Sequence, residues 1–224
     1  MAGRYIPLAT GEYYHVYNRG VARQPIFLSK GDYEQMLLTL TYYRFRKPPV
    51  RLSRFKELSK DNQKNFLVEL ENKNEKLVEF ISFVLIPNHF HLLLRQETEG
   101  GISTFTSKAI NSYTKYFNTK RERVGAILQG VFKAVHVGSS EQLVHLSRYI
   151  HLNPLVSFVV REKNFLSYPW SSLPDYLRGK SSLFDLEPVL GEFKSPGKYK
   201  EFILDQKDYA RRLDEIKHLM LEKG

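Results

Sequence analysis

Residues 77–96 read LVEFISFVLIPNHFHLLLRQ. The run 77–86 is mostly apolar, broken only by Glu79 and Ser82, and has the length of a buried strand. Pro87 and Asn88 interrupt it with turn chemistry, and HFHLLLRQ resumes as a second strand, antiparallel to the first. Side chains at i and i+2 of a strand share a face. His89 and His91 therefore project together and Phe90 points the other way. Two imidazoles on one face suit a divalent cation. The plainer alternative is two polar residues on a half-exposed sheet face, and two ligands alone do not decide between them.

Working outward, residues 12–21 (EYYHVYNRGV) alternate as a first strand and end in the turn residues Asn18, Arg19 and Gly20. Residues 30–45 place Met36, Leu37, Leu40 and Tyr43 on one helical face. Pro48 and Pro49 then break any helix, so 46–56 reads as an exposed basic loop. Residues 57–77 are strongly charged and read as surface helices, making 44–77 an insertion between core elements. Downstream, a helix from a Ser103 cap to about residue 118 is expected, then a strand over 131–137. A last core helix has Ser139 and Gln142 in capping-box spacing and stops at Pro154. Strand, helix, strand, strand, helix, strand, helix is the split βαβ order of ferredoxin-like α+β folds. It predicts an antiparallel sheet with helices on one face. The domain is expected to span 1–175, with a helical extension over 176–224. After Pro196 and Gly197, Phe202, Tyr209, Leu213, Ile216 and Met220 form the apolar stripe of an amphipathic helix.

The chain has 224 residues, 42% of them hydrophobic, enough for a real core. Lysine and arginine total 34 against 24 acids, a net charge of +10, which favours a polyanionic partner. Cysteine is absent, which excludes disulfide and thiolate chemistry. The first residues lack the apolar core of a signal peptide and no run approaches transmembrane length, so a soluble, cytoplasmic protein with no membrane partner is expected.

The last core helix carries the reactive candidates. Tyr149 and Asn153 lie one turn apart on one face, with His145 one turn earlier as a possible accessory. A helical tyrosine is ordinarily a core or rim aromatic. Asn153, followed at once by Pro154, singles this one out, because its amide oxygen could complete a site of two imidazoles and one amide. Such a site is neutral and leaves a cation's charge undiminished for polarising a phosphate. A phenol is a poor nucleophile at its ordinary pKa of about 10, but becomes effective when the target phosphorus is held and polarised. The candidate DNA contacts are basic. Arg44, Arg46, Lys47, Arg51 and Arg54 crowd one helix end and the loop after it. Lys108, Lys115, Lys120, Arg121 and Arg123 line or follow the second core helix, interleaved with aromatics, and Arg19 and Lys133 complete the set.

The stretches HVYNRG (15–20), PNHFHLLL (87–94), LQGVFKAVHV (128–137), YIHLNP (149–154) and YPWSS (168–172) occur in the order found in a known family. The chain resembles the REP-associated tyrosine transposases, single-tyrosine members of the HUH endonuclease superfamily. The resemblance spans roughly residues 12–172. It implies that His89 and His91 bind Mg²⁺ or Mn²⁺, that Tyr149 is the nucleophile and that Asn153 is the third ligand. It implies a substrate of single-stranded DNA folded into an imperfect hairpin, cleaved to leave a 5′-phosphotyrosine and a 3′-hydroxyl, by a monomer or homodimer. The insertion at 44–77 departs from the family pattern. Tyr113 and Tyr116 are rival nucleophiles by sequence, and the resemblance disfavours them. A non-catalytic binder of DNA or RNA hairpins, and a phosphodiesterase that uses water, are the competing functions.

Overall fold

The computed structural model describes residues 8–205; Tyr209, Leu213, Ile216 and Met220 of the expected C-terminal stripe lie outside them. Strands Tyr13–Arg19 (β1), Val78–Ile86 (β2), His89–Gln96 (β3) and Lys133–Val137 (β4) form one sheet in the order β2-β3-β1-β4, every neighbouring pair antiparallel. The fold is α+β, with the strand order of a ferredoxin-like split βαβ unit.

Helices cover both faces of this sheet, not one. Helices Lys30–Tyr43 (α1) and Gly101–Lys120 (α4) pack on the face that carries Tyr14, Val16, Phe90, Leu92 and Leu94. Helix Ser140–Val156 (α5) packs on the other, against Ile81, Val84, Ile86 and Leu93. The reason is legible in β2, whose nine residues are all buried. A strand apolar on both sides needs a cover on both sides. One extra residue in β2, between Phe80 and Ser82, shifts the pairing with β3. Through this bulge Phe80 and Phe83, three positions apart, both reach the α1–α4 core.

The insertion holds two helices, Leu52–Glu57 (α2) and Lys60–Lys73 (α3), so the expected loop ends earlier than residue 56. Leu52 and Phe55 build a small separate core with Tyr42. Helix α4 starts at Gly101, two residues before the expected Ser103 cap. The Gln96 side chain accepts from the Ile102 N–H at 3.1 Å, and a Cβ at residue 101 would lie 2.2 Å from the Leu77 carbonyl oxygen. A glycine is needed there, and a strand residue does the capping. Helix α5 runs through Pro154 to Val156; its last turn closes behind the proline through the Ser157 N–H, which donates to the Asn153 carbonyl at 2.9 Å. Ser139 does cap it, accepting from the Gln142 N–H at 3.2 Å, while the Gln142 side chain accepts from Gly138 rather than from Ser139.

The expected domain boundary at 175 falls inside helix Leu173–Arg178 (α7), which follows the short helix Glu162–Phe165 (α6). Beyond it, helices Glu187–Leu190 (α8) and Pro196–Leu204 (α9) bury Val189, Tyr199 and Ile203 in the same core as α5. No helix among the described residues is long and apolar enough to cross a membrane.

Asp32 joins α1 to α4. It is fully buried, accepts from the N–H groups of Leu28 (2.9 Å) and Ser29 (3.0 Å), and pairs with Lys120 (3.0 Å) and Arg121. Burial works to raise its pKa, but the hydrogen bonds from Leu28, Lys120, Arg121 and Tyr116 outweigh it and hold the carboxyl well below its ordinary range. Asp32→Ala removes the helix cap and strands two cations, so a loss of about 3 kcal/mol in unfolding free energy is expected from urea denaturation. A loss under about 1 kcal/mol would show the pairing to be incidental.

Candidate active site

The sheet register builds the site. Arg19 lies opposite His89, and Tyr17 opposite His91 on one side and Lys133 on the other. Directly opposed residues share a face, so His15, Tyr17, Arg19, His89, His91 and Lys133 all project toward the side that α5 covers. Tyr149 comes down from α5 with its ring edge-on to His91, centroids 5.5 Å apart and planes at 86°. The rings of His89 and His91 are 5.0 Å apart at 81°. Tyr149, the two histidines, Tyr17, Arg19 and Lys133 help line a cavity of about 280 Å³. Asn153, one turn after Tyr149 and buried, is hydrogen-bonded to His89 and accepts from the Ser157 hydroxyl at 3.3 Å.

Hydrogen bonding sets the state of each imidazole. His89 Nδ1 lies 2.6 Å from Asn88 Oδ1, and the Asn88 amide nitrogen donates to the Arg23 carbonyl at 3.2 Å. An amide oxygen only accepts, so His89 carries its proton on Nδ1 and a lone pair on Nε2. His91 Nδ1 pairs with His15 Nε2 at 2.8 Å. Burial, then the charge of Arg19, brings the pKa of His89 down to about 4. Burial alone brings His15 to about 4, and burial with neighbouring positive charge puts His91 well below its ordinary value. All three rings are neutral at pH 7, as metal ligands must be.

His91 Nε2 is buried and has no hydrogen-bond partner among the described residues. Such an atom is costly to leave unmet. A divalent cation fits it: His89 and His91 offer two imidazole nitrogens and Asn153 an amide oxygen, a neutral donor set. Among the described residues no group of three or more His, Cys, Asp or Glu side chains is placed to hold a metal. The buried Asn153 amide beside His89 is the further polar group that could add a third donor.

Sequence reasoning missed His15 and Tyr17. The signal was present, because 15, 17 and 19 repeat at the strand period, but it needed the register to place them beside the histidines. It also missed His151, fully buried, with Nδ1 2.7 Å from the Tyr199 hydroxyl and Nε2 2.8 Å from Ser172 Oγ. Burial lowers its pKa to about 3, so the ring is neutral and ties the helix that bears Tyr149 to α9 and to the segment before α7.

The other candidates divide. His145 is bonded to Arg148 at 2.7 Å and packs on Phe202, which directs it toward α9 rather than into the cavity. Arg44 is a correction. It is buried, paired with Glu71 and with Glu79 at 3.8 Å, and donates to the Leu183 carbonyl at 2.7 Å, so it holds the insertion to β2 instead of facing DNA. Lys120 and Arg121 are committed to Asp32. Arg46, Lys47, Arg51, Arg54, Lys108, Lys115 and Arg123 are exposed; Arg54 pairs with Glu57 at 2.9 Å and Arg123 lies 5.7 Å from the Phe117 ring. Of the rival tyrosines, Tyr113 is buried and donates to the Ile26 carbonyl at 2.5 Å, and Tyr116 lies 3.1 Å from Asp32. Both belong to the α1–α4 side, across the sheet from the histidines.

No protein-family model matches the chain, and none of the curated proteins does. Among solved structures it is similar to that of a REP-associated tyrosine transposase bound to a REP hairpin. The TM-score is 0.50 and the identity 18%, over 83% of this chain and 89% of that one. The likeness is one of fold. It covers most of both chains.

Proposed function

We propose that this protein cleaves and rejoins single-stranded DNA beside a hairpin, with Tyr149 as nucleophile and with Mg²⁺ or Mn²⁺ held by His89, His91 and Asn153. The observation that carries this reading is the buried His91 Nε2, unpartnered among the described residues, beside the ring of Tyr149, in a cavity with basic walls. The fold shared with a hairpin-bound transposase agrees with it.

When held there, a divalent cation would supply Lewis-acid polarisation of a phosphate oxygen. The chain's own groups do the rest. Arg19 and Lys133 hold the phosphate at the cavity mouth. Tyr149, fixed by a helix anchored through His151, aims its phenol oxygen at phosphorus. The new bond joins that oxygen to phosphorus, the bond to the 3′-oxygen breaks, and the phenolic proton is balanced by the one gained by the departing 3′-hydroxyl. The product is a 5′-phosphotyrosine. Its ester conserves the energy of the broken bond, so a 3′-hydroxyl can reverse the step and seal the strand without ATP.

A labelled single-stranded hairpin with unpaired flanks, incubated with and without Mn²⁺ and run on a denaturing gel, tests this. A metal-dependent protein–DNA adduct is expected. Free 5′-phosphate ends without adduct would make the protein a water-using phosphodiesterase, and binding without cleavage would make it a hairpin-binding protein.

His15 is a positioning residue on this reading. By pairing with His91 Nδ1 it leaves Nε2 to face a cation, the role outer partners of ligating histidines play. His15→Ala is expected to weaken Mn²⁺ binding about 10- to 100-fold by electron paramagnetic resonance titration, with His15→Gln recovering part of it. Unchanged affinity in the alanine variant would remove His15 from the site.

A further inference from the structure

A second basic hollow lies away from the histidines. A groove of about 910 Å³ runs between α1, α2 and α4, and its walls carry Arg51, Lys56, Lys108, Lys115 and Lys120 with no Asp or Glu among them. Lys56 donates to the Gln35 side chain at 2.8 Å and Lys120 is held by Asp32. Arg51, Lys108 and Lys115 are exposed and make no ion pair among the described residues. The wall that carries Arg51 is built on purpose. The Tyr42 hydroxyl donates to the Val50 carbonyl, and Leu52 and Phe55 pack the start of α2 beside it.

We infer that this groove binds DNA backbone at a second site, remote from the phosphodiester presented to Tyr149. Like charges gathered without acids repel one another and are relieved by a polyanion. Lys108 and Lys115 are two helical turns apart, about 10 Å along α4. That separation spans several phosphates of a strand, so a chain of phosphates fits better than one small anion. The groove lies on the α1–α4 side, opposite the histidine pair, so one DNA molecule engaging both must reach around the sheet. The groove therefore governs affinity rather than chemistry. The inference rests on the reading of the protein as a DNA binder and is independent of the role of Tyr149.

The test is fluorescence anisotropy of the labelled hairpin, with log Kd plotted against log salt. Three proteins are compared: wild type, Arg51→Ala/Lys108→Ala/Lys115→Ala, and Lys163→Ala/Lys194→Ala/Lys200→Ala, which removes equal charge outside the groove. The groove variant is expected to lose about 2.7 from the slope, about 0.9 per phosphate contact, while the control keeps the wild-type slope. A groove variant with the wild-type slope, or a control that loses as much, overturns the inference. Should the triple variant fail to melt cooperatively, Lys108→Gln and Lys115→Gln singly are expected to lose about 0.9 each, and wild-type slopes in both overturn it equally. Adduct formation with no slope change refutes the groove and spares Tyr149; a slope change with no adduct does the reverse.

Discussion

Tyr149→Phe is expected to abolish the covalent protein–DNA adduct, lowering its yield on the order of 10³-fold or more, because the phenol oxygen that would form the bond to phosphorus is gone. The effect is one of chemistry and not of folding. Tyr149 is 46% exposed, and losing one hydroxyl there leaves the buried α5 face, with Leu143, Ile150 and His151, as it was. DNA binding measured without metal should stay near the wild-type value. An adduct at wild-type yield would shift attention to Tyr17, the other phenol lining the cavity, whose ring stacks 5.6 Å from His91.

His91→Ala is expected to remove metal-dependent cleavage, with a rate loss on the order of 10³-fold, the worth of roughly 4 kcal/mol of transition-state stabilisation. On the proposed reading the ring is one of two imidazole donors in a sparse site, so its loss cannot be shared among many ligands. Chelation of the wild-type protein should produce a loss of similar size, and chelation of the variant should add little. His91→Ala that still needs Mn²⁺ and cleaves at the wild-type rate would rule out the histidine pair as the metal site. His91 is buried, so thermal melting of the variant separates a lost ligand from a lost fold.

The hairpin at 77–96 and the helical periods of 30–45 and 139–154 were legible in the sequence because each rests on short-range patterning that the structure keeps. The strand order followed from them. What stayed hidden depends on contacts between distant segments. The second helical layer was implicit in the predominantly apolar β2, but which helix covers which face required the register. Arg44 reads as one more cation of a basic stretch, and only the fold reveals Glu71 and Glu79 closing on it. Ser103 reads as the cap of the second core helix until the Leu77 carbonyl is seen against Gly101. At the site, the shared face of His89 and His91 was a property of the strand period. Their company was not: His15 comes from a strand 76 residues away from His91, and its bond to that ring follows from strand pairing alone.

The most direct test of the account is to find where the DNA is attached. After reaction with the hairpin and Mn²⁺, nuclease trimming and trypsin digestion, mass spectrometry reads the modified peptide. Cleavage after Arg148 and Arg161 releases peptide 149–161, and a missed cleavage extends it to 134–161; in both Tyr149 is the only tyrosine. The account predicts a phosphonucleotide on this peptide, placed on Tyr149 by fragmentation and absent when metal is withheld. Attachment to Tyr17, or an adduct that leaves this peptide unmodified, would contradict it.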